Sequence, residues 1–452
     1  MKNINYDYKH ITLILNKTKI EIYYNDVLID TKRGEYQVLN SLKKIKKYDN
    51  LDKKIPILNI VIINKKDMYY YINNGFIIII TDKAYAIECR TKVDNFNLNY
   101  EKGMFGSNTS FTENFNDNLY LIRNRIKDES LKSLTFDMGT ISHTKCSILY
   151  IENIVNKDKV KKVYKRLREI KIDGILDSCY IKDYLNKLSL FPTITSTVRP
   201  DKASSMLLEG KIIIISDNSP NAIILPNIFI DFFHAMDDYY SSYIFASFIR
   251  TIRFISFLIS IFLPSIYMLI VLNDYKFINK HLLNIVKEVS KGAIFNIFLQ
   301  NIFLIIIFNI LRESDLHKNK DNSTSFSLLG GLILGSTASI SKFVSPLSLV
   351  VVSLSTISAL VFDSYEFQNS LNIIKILTLI ITYILGFKGL IISVIIIFIV
   401  LVFTKSFGVN YLYPFIPFDK KAIIDTLFRI KVHKKYRNKI ITNNIKRGKI
   451  WV

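Results

Sequence analysis

The first 245 positions alternate between short blocks of β-branched residues and longer polar stretches, a pattern that predicts a soluble α/β region. The strand blocks are 57–63, 77–81, 148–151 and 212–216. One block recurs: 72–82 (INNGFIIIITD) resembles 207–217 (LLEGKIIIISD) about 135 positions later, with Gly75 matching Gly210 and Asp82 matching Asp217. Each copy reads as a helix end, a glycine stop, a buried strand and a turn-forming aspartate. Two α/β lobes of related architecture are therefore expected, over 1–100 and 101–245.

The pattern changes at residue 249. Residues 254–272 form a charge-free run of 19 positions, about 28 Å as a helix and long enough to cross hydrocarbon. Arg250 and Arg253 stand just ahead of it. Shorter apolar stretches follow at 293–311, 326–341, 346–362, 371–386 and 389–403. The expectation is an α-helical polytopic membrane domain over 246–405 with four to six membrane segments, followed by a basic cytoplasmic tail, 406–452. Tyr239, Tyr240 and Tyr243, before the first span, read as interfacial anchors.

Charge sharpens this division. The 452-residue chain carries a net charge of +22, with 36 basic and 29 acidic residues in 1–248, 12 and 7 in 249–402, and 12 and 2 in 403–452. The excess is concentrated behind the hydrophobic block, which disfavours a soluble nucleic-acid binder and favours a membrane protein with a charged tail against anionic lipid. Basic flanks stay cytoplasmic, so both ends should share one side and the crossings should be even in number. Lys276, Lys280, Lys287 and Lys291 would then lie outside, against that rule. Three cysteines cannot build a disulfide framework.

Catalytic signatures are missing. The sequence has no phosphate-binding glycine loop of either common type, no nucleophile elbow, no His-Glu-x-x-His and no Cys-x-x-Cys, and its six histidines have no ligand spacing. Cys179 reads as a turn filler. Neither enzymatic chemistry, metal nor cofactor is expected.

Several local motifs are well defined. Residues 111–127 (FTENFNDNLYLIRNRIK) read as a capped helix, with Thr112 as N-cap, Glu113 and Asn114 in its first turn, and Arg123 and Arg125 late. Asp173-Gly174 forms a turn, and Asp177 is the N-cap after it. Arg199-Pro200-Asp201 opens a helix that Glu209-Gly210 ends, and Asp217 comes after the next strand. Further along stand Asp231, "ILRE" at 310–313, Gly335 in "GLILGS", Pro346 in "VSP", and Gly408 in "SFGVNYLYPFIPF".

In this order, these motifs resemble the A subunit of GerA-type spore germinant receptors, from about Phe111 to Phe418. The resemblance implies a two-lobed cytosolic domain and a place in the spore inner membrane. It also implies a transporter-like B subunit and a lipoprotein C subunit as partners, and a homo-oligomer acting as a nutrient-gated cation channel. This chain departs from the family at Ile305 and Asn309, where acidic residues are usual, and at Asp363, where proline is common. Membrane-anchored binding module and solute transporter are the alternative readings.

A pore helix needs small or hydroxylated residues on its wet stripe. Ser348, Val352, Ser355 and Ala359 form such a stripe, with Asp363 and Glu366 as a candidate cytoplasmic mouth. The same small residues also serve helix packing, as does the pair Gly331 and Gly335. Asp363 and Glu366 read equally well as helix caps.

Overall fold

The computed structural model describes residues 5–15, 18–30, 60–91, 109–186, 189–272, 280–290, 293–316 and 342–429, with isolated positions between 32 and 51 and residue 340. Strands β1 (Tyr8–Leu15), β2 (Thr18–Asn25), β3 (Ile60–Ile63), β4 (Phe76–Ile80) and β5 (Ala84–Glu88) build a first sheet. Short helices α1 (Asn40–Lys44) and α2 (Met68–Ile72) lie between them. The second sheet contains β6 (Leu131–Met138), β7 (Thr144–Ile151), β8 (Thr195–Thr197), β9 (Ile212–Ser216) and β10 (Ala222–Leu225). Its helices are α3 (Phe115–Arg123), α4 (Lys157–Glu169), α5 (Ser178–Leu185) and α6 (Pro200–Leu208).

The two sheets have the same topology. Their orders are β1-β2-β4-β5-β3 and β6-β7-β9-β10-β8, with antiparallel pairing throughout. The recurring sequence block falls on β4 and β9, and Gly75 and Gly210 both take positive φ, 83° and 89°. A left-handed residue there reverses the chain from helix into central strand. The uninterrupted isoleucines follow from burial on both faces. Ile213 and Ile215 face α3 and α6, whereas Ile212 and Ile214 face α4 and α5. The lobes are joined by a buried ion pair, since Arg123 Nε lies 2.7 Å from Asp7 Oδ2. Ser133 and Asn25 also donate to that carboxylate.

Beyond the sheets come α7 (Asp237–Tyr240), α8 (Tyr243–Leu272), α9 (Lys280–Ser290), α10 (Ile297–Leu316), α11 (Pro346–Ala359), α12 (Tyr365–Phe403) and α13 (Lys420–Leu427). A two-stranded ribbon, β11 (Lys405–Ser406) and β12 (Val409–Asn410), precedes α13. Helix α8 starts eleven positions before the expected run, so Arg250 and Arg253 are inside a helix rather than flanking it. Three described helices, α8, α10 and α12, are long and apolar enough to cross a membrane, and α11 is a shorter apolar helix. The 326–341 stretch, with Gly331 and Gly335, lies largely outside the described residues, as does the tail from 430 onward.

Helix α12 is in fact a hairpin. A straight helix of 39 residues would be about 58 Å long. Yet its start pairs with the sheet domain through Glu366 and Lys182, and just past its end Ser406 Oγ donates to Thr193 O at 2.7 Å. The chain turns back at Gly386 (φ 60°, ψ −139°), so Ile397 and Leu401 join Leu371 and Ile374 in one cluster. The apolar stretches 371–386 and 389–403 are its two arms.

Candidate functional site at the junction of sheets and helices

Below β10 the backbone turns through Asn227 and Ile228 into a short 3-10 helix, Phe229–Phe233. Asp231 fixes this turn. Its Oδ2 accepts the Ile228 N–H at 2.8 Å and the Lys211 ammonium at 2.6 Å. Lys211 immediately follows Gly210, so the glycine stop sets the residue that grips the junction. Phe229, Phe232 and Phe233 then enter an aromatic cluster with Phe191, Phe257 and Phe367. Two of its ring pairs stack at 4.3 Å (Phe232–Phe367) and 4.2 Å (Phe233–Phe254).

The ionic centre of the junction is Asp238, only 3% exposed. Its Oδ2 accepts from Arg253 Nη1 at 2.7 Å and from Arg250 Nε at 3.2 Å. The two arginines are three apart on α8 and present both guanidinium groups to one carboxylate. Arg253 Nη1 also donates to Phe233 O at 2.9 Å. Arg250 Nη1 reaches α13, donating to Asp425 O at 2.6 Å with Asp425 Oδ1 at 3.5 Å. Arg429 adds a second strap, donating to Tyr239 O at 3.0 Å and, through its backbone N–H, to Ser247 Oγ at 3.0 Å. The Tyr239 ring has the Arg250 and Arg429 guanidinium groups each 5.7 Å from its centroid. Helix α7, the base of α8 and α13 are thereby locked together.

Two further links bind the second sheet to this point. Arg199 holds Asp201 with two bonds, 3.2 and 2.8 Å, and lies 3.3 Å from Asp237. Burial alone would raise the Asp201 carboxyl, but Arg199 holds it below its ordinary value. The Tyr240 hydroxyl donates to Asp201 at 3.1 Å. On the other side, Lys182 of α5 pairs with Glu366 at the start of α12.

The sequence-nominated residues fall into three groups. The first supports the second lobe. The N-cap of α3 is Asn114, which accepts from Asn116 and Asp117, and not Thr112. Thr112 Oγ1 instead accepts the Asn114 N–H and so closes the turn one step earlier. The Glu113 carbonyl accepts from Asn218, and Asp217 Oδ1 accepts the Phe115 N–H at 3.1 Å. Arg125 bonds Leu121 O and Thr109. Asp173 accepts from Thr140 beside Gly174, and Asp177 caps α5 through Cys179 N. Pro200 occupies the first turn of α6, and Glu209 is its C-cap.

The second group is the expected pore stripe. Ser348, Val352, Ser355 and Ala359 are all buried inside the chain's own bundle. Ser348 Oγ donates to Gln300 at 2.7 Å, and Ser355 Oγ donates to Ser260 O at 3.2 Å. Val352 packs with Met268 and Leu304, and Ala359 with Phe257 and Ile261. In this arrangement the hydroxyls serve packing. Ser345 caps α11, with Pro346 in its first turn. Glu366 is half-buried in its ion pair with Lys182, while Asp363 is exposed.

The third group is the junction. Arg250 and Arg253 stand at its centre, with Tyr239 and Tyr240 as its aromatic and hydrogen-bonding members. Asp238, Asp425, Arg429, Lys182 and Lys211 went unassigned at the sequence level. The readable signal for Asp238 was an acidic pair ahead of two arginines spaced i, i+3. Gly408 (φ 84°) follows Phe407 (φ 46°) in the tight turn between β11 and β12, which two left-handed residues favour. Among the described residues no cluster of metal-ligating side chains occurs.

A profile of the family described as Bacillus/Clostridium GerA spore germination protein matches residues 1–440. The chain belongs to the GerA spore germination family. The spore germination protein GerQA of Bacillus cereus is 29% identical to it over 453 residues, covering 98% of this chain and 91% of that protein. Spore germination protein KA of Bacillus subtilis (strain 168) is 32% identical over 327 residues, covering 72% of this chain and 60% of that protein. The crystal structure of the N-terminal domain of the A subunit of the Bacillus megaterium spore germinant receptor GerK3 is 26% identical, with a TM-score of 0.38, covering 49% of this chain and 88% of that chain. The apolar helices make this GerA-family chain membrane-associated.

Proposed function

We propose that this chain is a subunit of a nutrient germinant receptor in the spore inner membrane. Its helical part assembles with further copies into a ligand-gated cation channel, and its two lobes and basic tail occupy the cytoplasm. A transporter-like B subunit and a lipoprotein C subunit complete the receptor, and nutrient binding, chiefly on a partner, shifts a closed bundle towards an open one.

One observation carries this reading. The sheet domain grips α8 through Asp238 and α12 through Lys182, and holds the returning end of α12 through Thr193 and Ser406. A rigid shift of the lobes therefore acts on the near ends of several apolar helices at once, as gating requires. Oligomer contacts have an apolar face available on α11, where Val350, Leu354 and Ile357 are exposed. A lumen lined by Ser348, Val352, Ser355 and Ala359 belongs to a state in which α11 has turned away from α8.

Deletion in the native spore-former tests the role. Potassium release and loss of refractility should fail for at least one nutrient. Normal responses to a broad nutrient panel would end the proposal. A Ser355→Cys chain tests the lumen: its thiol should react with small reagents only during germination.

A further inference from the structure

Among the described residues, a buried charge without a partner lies on the first arm of α12. Lys375 is fully buried, and its Nζ has no hydrogen-bond partner among the described residues. A second cation, Arg312 of α10, acts on it. Arg312 bonds Gln368 and Asn369 through its Nη atoms, while its Nε has no partner among the described residues. Asn372, one turn before Lys375, donates to Asn309 Oδ1 at 3.1 Å.

The register of the two helices fixes the level of the Lys375 backbone. Arg312 meets Asn369, Asn309 meets Asn372, and Phe298 stacks on Tyr383 at 4.3 Å. These three pairs share one antiparallel register, which sets Lys375 level with Ile305 and Ile306. Ile305 is buried and apolar, so α10 offers no partner directly opposite. One turn nearer the sheet domain is the Asn309–Asn372 pair, whose Asn372 Oδ1 also has no partner among the described residues. On α8, Thr378 donates to Ile261 O at 3.4 Å, and Ile261 is equally apolar. An isolated ammonium in such surroundings must lose its proton or gain a counter-charge. An anion would answer both cations at once, whereas loss of the Lys375 proton would leave Arg312 Nε without a partner among the described residues.

We propose that Lys375, assisted by Arg312, forms a binding site for a small monovalent anion of chloride size between α10 and α12. Gln368, Asn369 and half-buried Arg312 form its approach from the sheet-domain side.

The test uses the purified full-length chain in detergent. Melting is followed in sodium chloride and in sodium gluconate at equal ionic strength, gluconate being too large for the site. Chloride should give a saturable rise of about 2–4 °C over gluconate. Lys375→Met should abolish that difference, and Arg312→Gln should reduce it. Ile305→Glu supplies an internal carboxylate on the facing helix; it should fold and make melting independent of chloride, which keeps the proposal testable if Lys375→Met does not fold. Identical melting of the unaltered chain in both salts would overturn the proposal, as would a chloride effect that survives in Lys375→Met or in Ile305→Glu.

Discussion

Removing the Asp238 carboxylate should release the sheet domain from the first apolar helix. Asp238→Ala deletes the acceptor for Arg250 Nε, for Arg253 Nη1 and for the Ala235 N–H. Among the described residues, fully buried Arg250 then keeps Asp425 and the face of the Tyr239 ring, while Arg253 keeps the Phe233 carbonyl. Deleting one partner of a buried ion pair costs about 3–5 kcal/mol, chiefly because the remaining charge is left in a poorly solvated place. Each 1.4 kcal/mol is about a factor of ten in an equilibrium constant, so opening of the junction should become at least about 100-fold more frequent. Hydrogen exchange reads this directly: amides of 229–253 should lose about two orders of magnitude of protection, while those of β7 and β9 should change little. Asp238→Asn keeps the shape and one acceptor oxygen and should lose less. A loss below about threefold at 229–253 in Asp238→Ala would refute the view that this carboxylate holds the junction. Equal losses in β7 and β9 would show that the variant loosens the whole domain instead.

Two other perturbations separate lobe docking from helix reversal. Burial would raise the Asp7 carboxyl, but Arg123, Ser133 and Asn25 together hold it below its ordinary 3.8. Its contribution is therefore complete above the unfolded carboxyl's range and is lost as pH falls through the depressed folded value. Melting of the unaltered chain should fall more steeply on acidification below about pH 4 than that of Asp7→Asn; parallel curves would remove Asp7 from the lobe contact. Gly386→Ala places a side chain at φ 60°, in open space, so only backbone strain opposes it. A cost of about 1–3 kcal/mol is expected, read as lower thermal stability in detergent, and unchanged melting would argue against the hairpin turn.

The recurrence of INNGFIIIITD as LLEGKIIIISD was legible because it repeats a whole local solution: helix, left-handed glycine, central strand. Two sheets of identical strand order are what that repetition became. The ordering of strands within each sheet was not legible, since β3 and β8 pair at the far edge with strands that come after them in sequence. The hairpin of α12 is legible as two apolar stretches, 371–386 and 389–403, parted by Phe387-Lys388, and the turn itself falls at Gly386, the last residue of the first. Arg250 and Arg253 were read as positive flanks because a charge count sees no partners. Their true setting depends on Asp238, twelve and fifteen positions earlier, and on Asp425, far along the chain. Ser348 and Ser355 illustrate the converse. Their spacing marks one helix face correctly, but a face of hydroxyls suits a wet lumen and a close helix contact alike, and only the neighbouring helix decides which it meets.

The charges at the junction suggest why its parts are distributed over so much sequence. Asp238 alone leaves its two arginines in excess by one charge, which Asp425 of α13 offsets and Arg429 just beyond it restores. The cluster is thus close to balanced but remains positive, and its stability depends on α13 staying in place. Breaking the Arg250–Asp425 contact would leave one carboxylate for two buried guanidinium groups, the condition under which a packed interface changes arrangement rather than relaxing gradually. A segment next to the basic tail therefore has direct leverage over the base of α8. Force applied through the lobes arrives at the same arginines by way of α7. The lobe side, through α7, and the tail side, through α13, thus converge on one nearly balanced ionic centre at the base of α8.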